Sequence, residues 1–311
     1  MKTFTKTPRC QTPHRRFNPL NDYLFLKIMG EKGDEVQLLG FLNAVLGHSG
    51  KKQLASITIL ENKSFSPSVL GDKASILDVR AVLQDGTKVN IEVQLRNRHN
   101  MDRRSLFYWS KEYSNSLDAG QDYSELPNVI AINIINFEFL PDDKYHSCFH
   151  LCEDENKDII LTDALEIHFL DMVKYRRQAG KGDLEDPLSR WMAWLNEKSP
   201  PELIAEVLKM DSAIQTADER MVYVTGDKEA IRAYEMRMMA LSDYTSTMNF
   251  ARDEGMKQGM KQGMKQGMKQ GMKQGMTEKT LEIARKMKEM GEPIEKIHTI
   301  TGLSAKTIER I

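Results

Sequence analysis

Cysteine is scarce in this sequence, and long apolar runs are missing. Its 311 residues include three cysteines, Cys10, Cys148 and Cys152, which is too few for a disulfide framework and fits a reducing compartment. No run approaches the roughly eighteen apolar residues that cross a bilayer, and the basic N-terminus lacks the apolar segment of a signal peptide. We therefore expect a soluble, cytoplasmic protein with no membrane partner.

Net charge is also almost absent, but the charges are unevenly distributed. The formal net charge is -1, yet residues 1–16 and 255–276 carry lysine or arginine and no acid. Basic segments at both ends of a near-neutral chain suit a polyanion such as nucleic acid, although flexible basic tails are often only solvated. A chain of this length is expected to bury one main core and to carry an appendage.

Apolar periodicity predicts an α/β fold. The segment 128–137 (NVIAINIINF) is apolar nearly throughout, as expected for a strand covered on both faces. Other elements are indicated by helical or alternating patterns: helices near 18–29, 36–46 and 100–119, and strands near 54–60, 76–83, 88–95, 145–152 and 164–172. This order indicates a mixed central sheet flanked by helices, followed by a helical C-terminal extension.

The expected organisation has five segments: a basic flexible arm (1–16), a core domain (17–184), a helical extension (185–254), a repeat tether (255–276) and a small three-helix, helix-turn-helix-like module (277–311). The repeat is Gly-Met-Lys-Gln, five times from Gly255 to Gln274 with a degenerate sixth unit at Gly275. A four-residue period advances each residue type by about 40° around a helix, and six glycines cost on the order of 5 kcal/mol in helix propensity.

These properties favour a flexible or partly helical basic tether. It would hold DNA nonspecifically or become helical by pairing with another copy. The C-terminal module carries seven Lys/Arg and six Glu, so a dimerisation module and a DNA reader stay open alternatives. A homo-oligomer formed through the C-terminal region is therefore one expected assembly.

One β-hairpin gives the sharpest prediction. Segments 76–83 (ILDVRAVL) and 88–95 (KVNIEVQL) both alternate, and a Gly-containing turn joins them. A two-residue loop would set the apolar row of the first strand against polar residues of the second, whereas a three-residue loop, residues 84–86, aligns the two apolar rows. Burial of those rows selects the three-residue loop, since a one-residue slip turns every side chain of a strand to the other face.

In that register Asp78 and Glu92 are cross-strand neighbours, with Cβ atoms about 5 Å apart. Two close carboxylates repel unless a positive charge lies between them. Mg²⁺ suits such a pair because it accepts one or two carboxylates and keeps several waters. Gln94 lies on the same face and is placed to orient a water. The residues alone leave open a solvated polar face on which Arg80 serves as the counterion.

The acidic residue followed by Glu-x-Gln resembles the core of the PD-(D/E)XK nucleases. More closely, the chain resembles the Rpn family of recombination-promoting nucleases, also described as transposases. The motifs that carry this resemblance are spread over nearly the whole chain from residue 17 onward: 22–30 (DYLFLKIMG), 77–80 (LDVR), 91–94 (IEVQ), Arg104, Tyr108, Trp109, Gly120, Tyr123, 165–170 (LEIHFL) and the Gly-rich tail.

The resemblance implies a PD-(D/E)XK (restriction-endonuclease-like) core at 17–184 and a Mg²⁺-dependent DNA endonuclease linked to recombination. Asp78 and Glu92 would be ligands of Mg²⁺ or another divalent cation, and Gln94 would occupy the position that is usually lysine. Asp22 matches an acidic family position and would approach the metal, cap its helix or pair with a lysine. Because an amide brings no positive charge, a catalytically weak or silent DNA-binding or assembly protein is the alternative.

Two further patterns combine polar residues at regular spacing. On the helix at 100–119, the stripe of Arg104, Tyr108 and Lys111 is expected to contact nucleic acid or only solvent, and the stripe containing Leu106 and Trp109 is expected to pack on the sheet. In the segment 145–152, two histidines and two cysteines alternate. One strand cannot wrap a tetrahedral ion because its ends lie about 20 Å apart, so no metal is assigned there.

Overall fold

The structure is a computed structural model that describes residues 16–33, 35–48, 50–60, 78–178 and 183–311. The chain divides into two compact units, Met1–Met238 and Met239–Ile311. None of the helices in the described ranges combines the length and apolar character that crossing a bilayer requires. The arm at 1–15, together with Cys10, lies outside the described residues. Arg16, its last predicted residue, is held by the Trp194 and Asn196 carbonyls at 2.6 and 3.1 Å.

The first unit is a mixed six-stranded sheet flanked by helices, as predicted. The elements in chain order are α1 (Asp22–Met29), α2 (Val36–His48), β1 (Ile57–Ile59), β2 (Val79–Leu83), β3 (Lys88–Gln94), α3 (Met101–Ser114), β4 (Val129–Ile135), β5 (His146–Cys152), β6 (Ile160–Asp171), α4 (Met172–Gln178), α5 (Pro187–Leu195), α6 (Pro201–Met210) and α7 (Ser212–Thr225). The strand order is β1-β2-β3-β4-β6-β5, with β3, β4 and β6 parallel and the other pairs antiparallel.

The main core lies on one face of the sheet. Leu24, Phe41 and Trp191, from α1, α2 and α5, are essentially inaccessible and pack in one cluster with Val79 and Ile91 of the hairpin. Every residue of β4 is buried, which confirms the prediction that both faces of this strand are covered. A smaller cluster, which includes Met101 of α3 and Phe169 of β6, fills the other face.

The β2–β3 hairpin has the predicted three-residue loop. The ladder pairs Val79 with Ile91 and Ala81 with Val89, and the Leu83 N–H donates to the Thr87 carbonyl at 2.8 Å. The loop 84–86 closes through Gly86, whose φ is +87°. Both apolar rows therefore lie in the main core, as burial of the two rows requires. Leu77, which the sequence places in the same row, lies outside the described residues.

Gly86→Ala is expected to destabilise the protein by about 1–2 kcal/mol, because a Cβ at positive φ strains the backbone. Urea denaturation of the full chain measures this. The matched control is Gly47→Ala on α2, where φ is negative and no atom lies within 4 Å of the added Cβ. This control should lose no stability. Equal losses for the two variants would show that the left-handed backbone of Gly86 is not what the substitution strains.

The second unit contains most of α8 (Lys228–Glu289), with α9 (Ile294–Thr301) and α10 (Ala305–Arg310). The prediction of a flexible or partly helical tether at 255–276 is wrong, because α8 runs through all the repeats. Met, Lys and Gln are good helix formers. Forming the first turn is the unfavourable step of helix formation, and the helical segments on both sides of the repeats already provide it. Gly302, in the left-handed region, ends α9, and the Ser304 side chain caps α10 by accepting from the Thr307 N–H. The five-segment division itself stays a prediction.

Candidate active site

Polar side chains line the hairpin face that turns away from the main core. Arg80 pairs with Asn90 in the ladder, and Asp78 directly precedes β2, so the next pair in the same register is Asp78 with Glu92. On β3, alternation puts Asn90, Glu92 and Gln94 on one face. The structure therefore brings Asp78 and Glu92 together, as the register predicted.

Asp78 is in an environment that disfavours its charge. Burial and the neighbouring Glu92 carboxylate raise the pKa of Asp78 to about 7, although Arg104, a hydrogen bond with Asn90 and Arg80 act in the opposite direction. Burial is the larger cause of this shift, and a positive charge beside the two carboxylates would oppose both causes. A bound cation would supply that charge.

Glu92 is buried, with 2% of its surface exposed, and α3 provides its counterion. The Arg104 Nε and Nη2 atoms donate to Glu92 Oε1 at 2.8 and 2.5 Å. The Gln94 amide donates to the same oxygen at 2.5 Å. Because all three of these hydrogen bonds reach Oε1, the other carboxylate oxygen, Oε2, is the one left for a cation to bind.

The structure decides against a solvated face with Arg80 as the counterion. α3 covers this face, and Arg80 donates to both carboxylate oxygens of Glu112 on α3 at 2.7 Å. Lys88 lies 3.7 Å from the same carboxylate. This ion pair fixes α3 over the hairpin, and Arg104 on the same helix lies against Glu92.

Sequence reasoning missed Asn133, which pairs with Glu92 across the β3–β4 ladder. Its side chain is buried, accepts a hydrogen bond from the Ser105 hydroxyl at 3.0 Å and donates to the His168 carbonyl at 3.1 Å. This residue ties α3 and β6 to the strand that carries Glu92. The available signal was one amide within an otherwise apolar strand.

Asp22 has other contacts. It begins α1, whose buried residues pack with the apolar side of the hairpin, and its carboxylate pairs with Arg237 at 2.5 Å. The helix cap is Asn21, whose side chain accepts from the Leu24 N–H. The ion-pair partner of Asp22 is thus an arginine rather than the expected lysine, and a role for Asp22 at the metal stays a prediction.

α3 faces the sheet with a different stripe from the one predicted. Leu106 is 49% exposed, so its predicted packing on the sheet is wrong, whereas Trp109 donates to the Val129 carbonyl at 2.9 Å. Arg104 and Ser105 hydrogen-bond to Glu92 and Asn133, and these contacts determine which side of α3 faces the sheet. The Arg104 guanidinium also lies 4.9 Å from the centre of the Tyr108 ring.

Lys111 is exposed on the same helix, where nothing in its surroundings decides between a solvated lysine and a phosphate contact. Contact of Arg104, Tyr108 and Lys111 with nucleic acid therefore stays a prediction. Of the three, Arg104 is the one that the structure places directly against the carboxylate pair.

Comparison with known families assigns the chain to one of them. The model of the PD-(D/E)XK nuclease family transposases matches residues 19–251, more than half of the chain. The chain belongs to this family. Both the predicted family and the predicted fold are confirmed, and the matched span includes the whole hairpin and α3. No curated protein and no solved structure gives a significant match.

PD-(D/E)XK nucleases generally use divalent cations, and the residues of this chain fit one. Asp78 and Glu92 offer only carboxylate oxygens, which are the donors that Mg²⁺ and Mn²⁺ prefer. Burial and the adjacent Glu92 carboxylate raise the pKa of Asp78, and a cation bound between the two carboxylates would oppose both effects. The fit thus rests on the chemistry of the two side chains and on their closeness.

Proposed function

We propose that this chain is a divalent-cation-dependent endonuclease that hydrolyses DNA phosphodiester bonds. The observation that carries the proposal is the Asp78–Glu92 pair on one hairpin face, with Glu92 buried and held by Arg104 of α3, in a member of the PD-(D/E)XK family. Asp78 and Glu92 would hold the cation, most simply Mg²⁺. When bound, the cation supplies Lewis acidity that activates water and offsets negative charge on the phosphate.

The other side chains position the reactants. The Gln94 amide, now on Glu92, would turn to hold the attacking water by a hydrogen bond. Arg104 keeps the Glu92 carboxylate in one orientation through two donors. Hydrolysis adds the water oxygen to phosphorus, breaks the bond to one sugar oxygen, and leaves a hydrogen on that oxygen. A phosphate end and a hydroxyl end result.

The direct test is conversion of supercoiled plasmid DNA to nicked or linear forms by the purified full chain. Cleavage is expected with Mg²⁺ or Mn²⁺ and none with EDTA. Matched single-stranded and double-stranded RNA substrates in the same assay define the class of nucleic acid. Absence of metal-dependent cleavage on every substrate would remove the endonuclease proposal.

Arg104→Ala is expected to lower the cleavage rate by about 10- to 100-fold, because groups that orient a metal ligand typically contribute that much. The neighbouring Arg103→Ala is the control, since Arg103 is exposed on the same helix, and its rate should stay within about twofold. Removing one partner of a buried ion pair also destabilises, so thermal melts accompany the rates. Arg104→Lys keeps the charge but loses one of the two hydrogen bonds to Glu92, so its cleavage rate should lie between those of the wild type and Arg104→Ala.

A catalytically silent DNA-binding protein is the second candidate, and one observation favours it. Gln94 stands where the superfamily usually has a lysine, and its amide and Arg104 both occupy Glu92 Oε1. This candidate predicts DNA retention without metal and little effect of Glu92→Gln on retention. Gel-shift measurements with EDTA, beside the cleavage assay, separate the two functions.

A further inference from the structure

A second group of ligand-bearing side chains lies at the β5–β6 edge of the sheet. Cys148 pairs with His168 across these strands, and Glu166 lies two residues before His168 on the same face of β6. Glu166 and His168 are 2% and 0% exposed, and Cys148 is partly buried and is a free thiol. Together these three residues form the edge cluster.

The edge cluster lies on the other face of the sheet from the hairpin pair. Across the ladders, His168 aligns with Ile132, which aligns with Ile91 on the apolar side of the hairpin. Glu92 instead aligns with Asn133 and Phe169. The edge cluster is therefore separate from the site of the proposed endonuclease, and a role for it does not depend on that function.

The spacing of its atoms suits a tetrahedral transition metal. Cys148 Sγ lies 3.7 Å from His168 Nε2 and 3.9 Å from Glu166 Oε1, and these last two atoms are 2.7 Å apart. Zinc bonds of about 2.0–2.3 Å place neighbouring ligand atoms roughly 3.3–3.8 Å apart. Only the hydrogen-bonded nitrogen–oxygen pair has to separate, as it would when a metal replaces the shared proton.

His150 is positioned to complete the ligand set. Its ring nitrogens lie 3.9 and 4.0 Å from Cys148 Sγ, and Nε2 lies 3.6 Å from Glu166 Oε2. The β5–β6 register shifts between Phe149 and Leu151, and such bulges re-aim a side chain. Because the His150 side chain is 30% exposed, it has room to rotate onto a bound ion from the solvent side.

Outer contacts orient the inner ligands. His146 Nε2 lies 2.9 Å from His168 Nδ1, so a hydrogen bond there can hold the proton on Nδ1 and leave Nε2 for a metal. Lys51 Nζ lies 2.6 Å from Glu166 Oε2. A partner on the second ring nitrogen and on the carboxylate is the usual surrounding of metal ligands.

We propose that Cys148, Glu166 and His168, with His150 as the fourth ligand, form a structural site for a transition metal such as Zn²⁺. Sulfur and imidazole ligands select zinc-like ions over Mg²⁺, so this site and the hairpin pair would take different metals. The ion would join the edge strand β5 to β6. A single strand cannot supply such a site, but here two of the four ligands come from β6.

The thiol is poorly suited to the alternative role of nucleophile. Cys148 is half-buried and its sulfur lies 3.9 Å from the Glu166 carboxylate; both features raise the pKa of the thiol, whereas the thiolate is the reactive form. Glu166 behaves in the opposite way. Its burial is outweighed by hydrogen bonds from His168 and Lys51, which lower its pKa to about 2.

Cobalt(II) titration of the purified, chelator-treated full chain tests the proposal. We expect one equivalent to produce the thiolate-to-cobalt charge-transfer absorption and the intense visible bands of tetrahedral cobalt, with Zn²⁺ displacing both. Cys148→Ser should abolish the charge-transfer absorption. The matched control Cys152→Ser, on the same strand, should retain it. Asp78→Asn should also retain it, because the hairpin pair has no sulfur.

His168 is fully buried, so its replacement could prevent folding, and His150→Ala serves instead. This variant should keep the charge-transfer absorption but bind Zn²⁺ at least about tenfold more weakly in competition with a chromophoric chelator. Absence of thiolate absorption at stoichiometric cobalt in the folded wild-type chain would overturn the proposal. So would absorption that survives in Cys148→Ser, or Zn²⁺ affinity that His150→Ala leaves unchanged.

Discussion

Asp78→Ala is expected to reduce metal-dependent DNA cleavage by at least about 100-fold. Changes to residues that only orient a metal ligand lower activity or affinity by about 10- to 100-fold, and Asp78 is proposed to be a ligand itself. Glu92→Gln should have a comparable effect, because it keeps the size of the side chain and removes its charge. The measurement is the initial rate of plasmid nicking at saturating Mg²⁺.

The control for both variants is Asp85→Asn in the loop of the same hairpin. Asp85 Oδ1 accepts from the Thr87 N–H at 3.0 Å, and asparagine keeps that acceptor. Its rate should match the wild type within about twofold. If Asp78→Ala and Asp85→Asn cleave equally, the nuclease activity of the preparation does not come from the hairpin, and the site is assigned wrongly.

Asp78→Asn is expected to make the metal-free protein more stable at pH 8, by about 2–4 kcal/mol. The pKa of Asp78 is about 7 in the folded protein and 3.8 for its ordinary value. Between these values the folded state binds more protons than the unfolded state, so stability falls as pH rises from about 4 to 7. Each pH unit in this window contributes up to about 1.4 kcal/mol.

Asparagine removes that charge, so the wild type and Asp78→Asn should have the same free energy of unfolding near pH 4. Above pH 4 the wild type should become the less stable of the two. Urea denaturation in EDTA at several pH values measures the divergence, and Asp85→Asn should follow the wild type throughout. Saturating Mg²⁺ should reduce this difference in the free energy of unfolding, because it binds and stabilises only the wild type. A variant that is less stable than the wild type at pH 8 in EDTA would contradict the raised pKa of Asp78.

Much of the site could be predicted from the hairpin sequence, because its two apolar rows permit one register. That register determines which residues share a face, and it placed Asp78 beside Glu92 without any knowledge of other strands. The role of Arg104 was less accessible. Its spacing on α3 indicated a polar stripe, but the rotation of that helix over the sheet depends on contacts with Glu92 and Asn133, which lie on other elements.

Two features could not be found from local pattern. The edge cluster and His150 combine residues 148 and 150 with residues 166 and 168, and alternation within one strand does not reveal which neighbour it pairs with. α8 continues through the glycine repeats because its flanking segments are helical, whereas the repeat considered alone predicts only partial helix. The first case requires knowing which strand β5 pairs with, and the second requires knowing that the segments beside the repeats are helical.

The most direct test of the central claim is where a divalent cation binds. Crystals of the full chain soaked in Mn²⁺, measured at a wavelength where manganese scatters anomalously, locate the ion without reference to activity. We expect an anomalous peak between the carboxylates of Asp78 and Glu92, and its loss in Asp78→Asn. A well-occupied Mn²⁺ elsewhere in the molecule, with none between these two carboxylates, would contradict the claim.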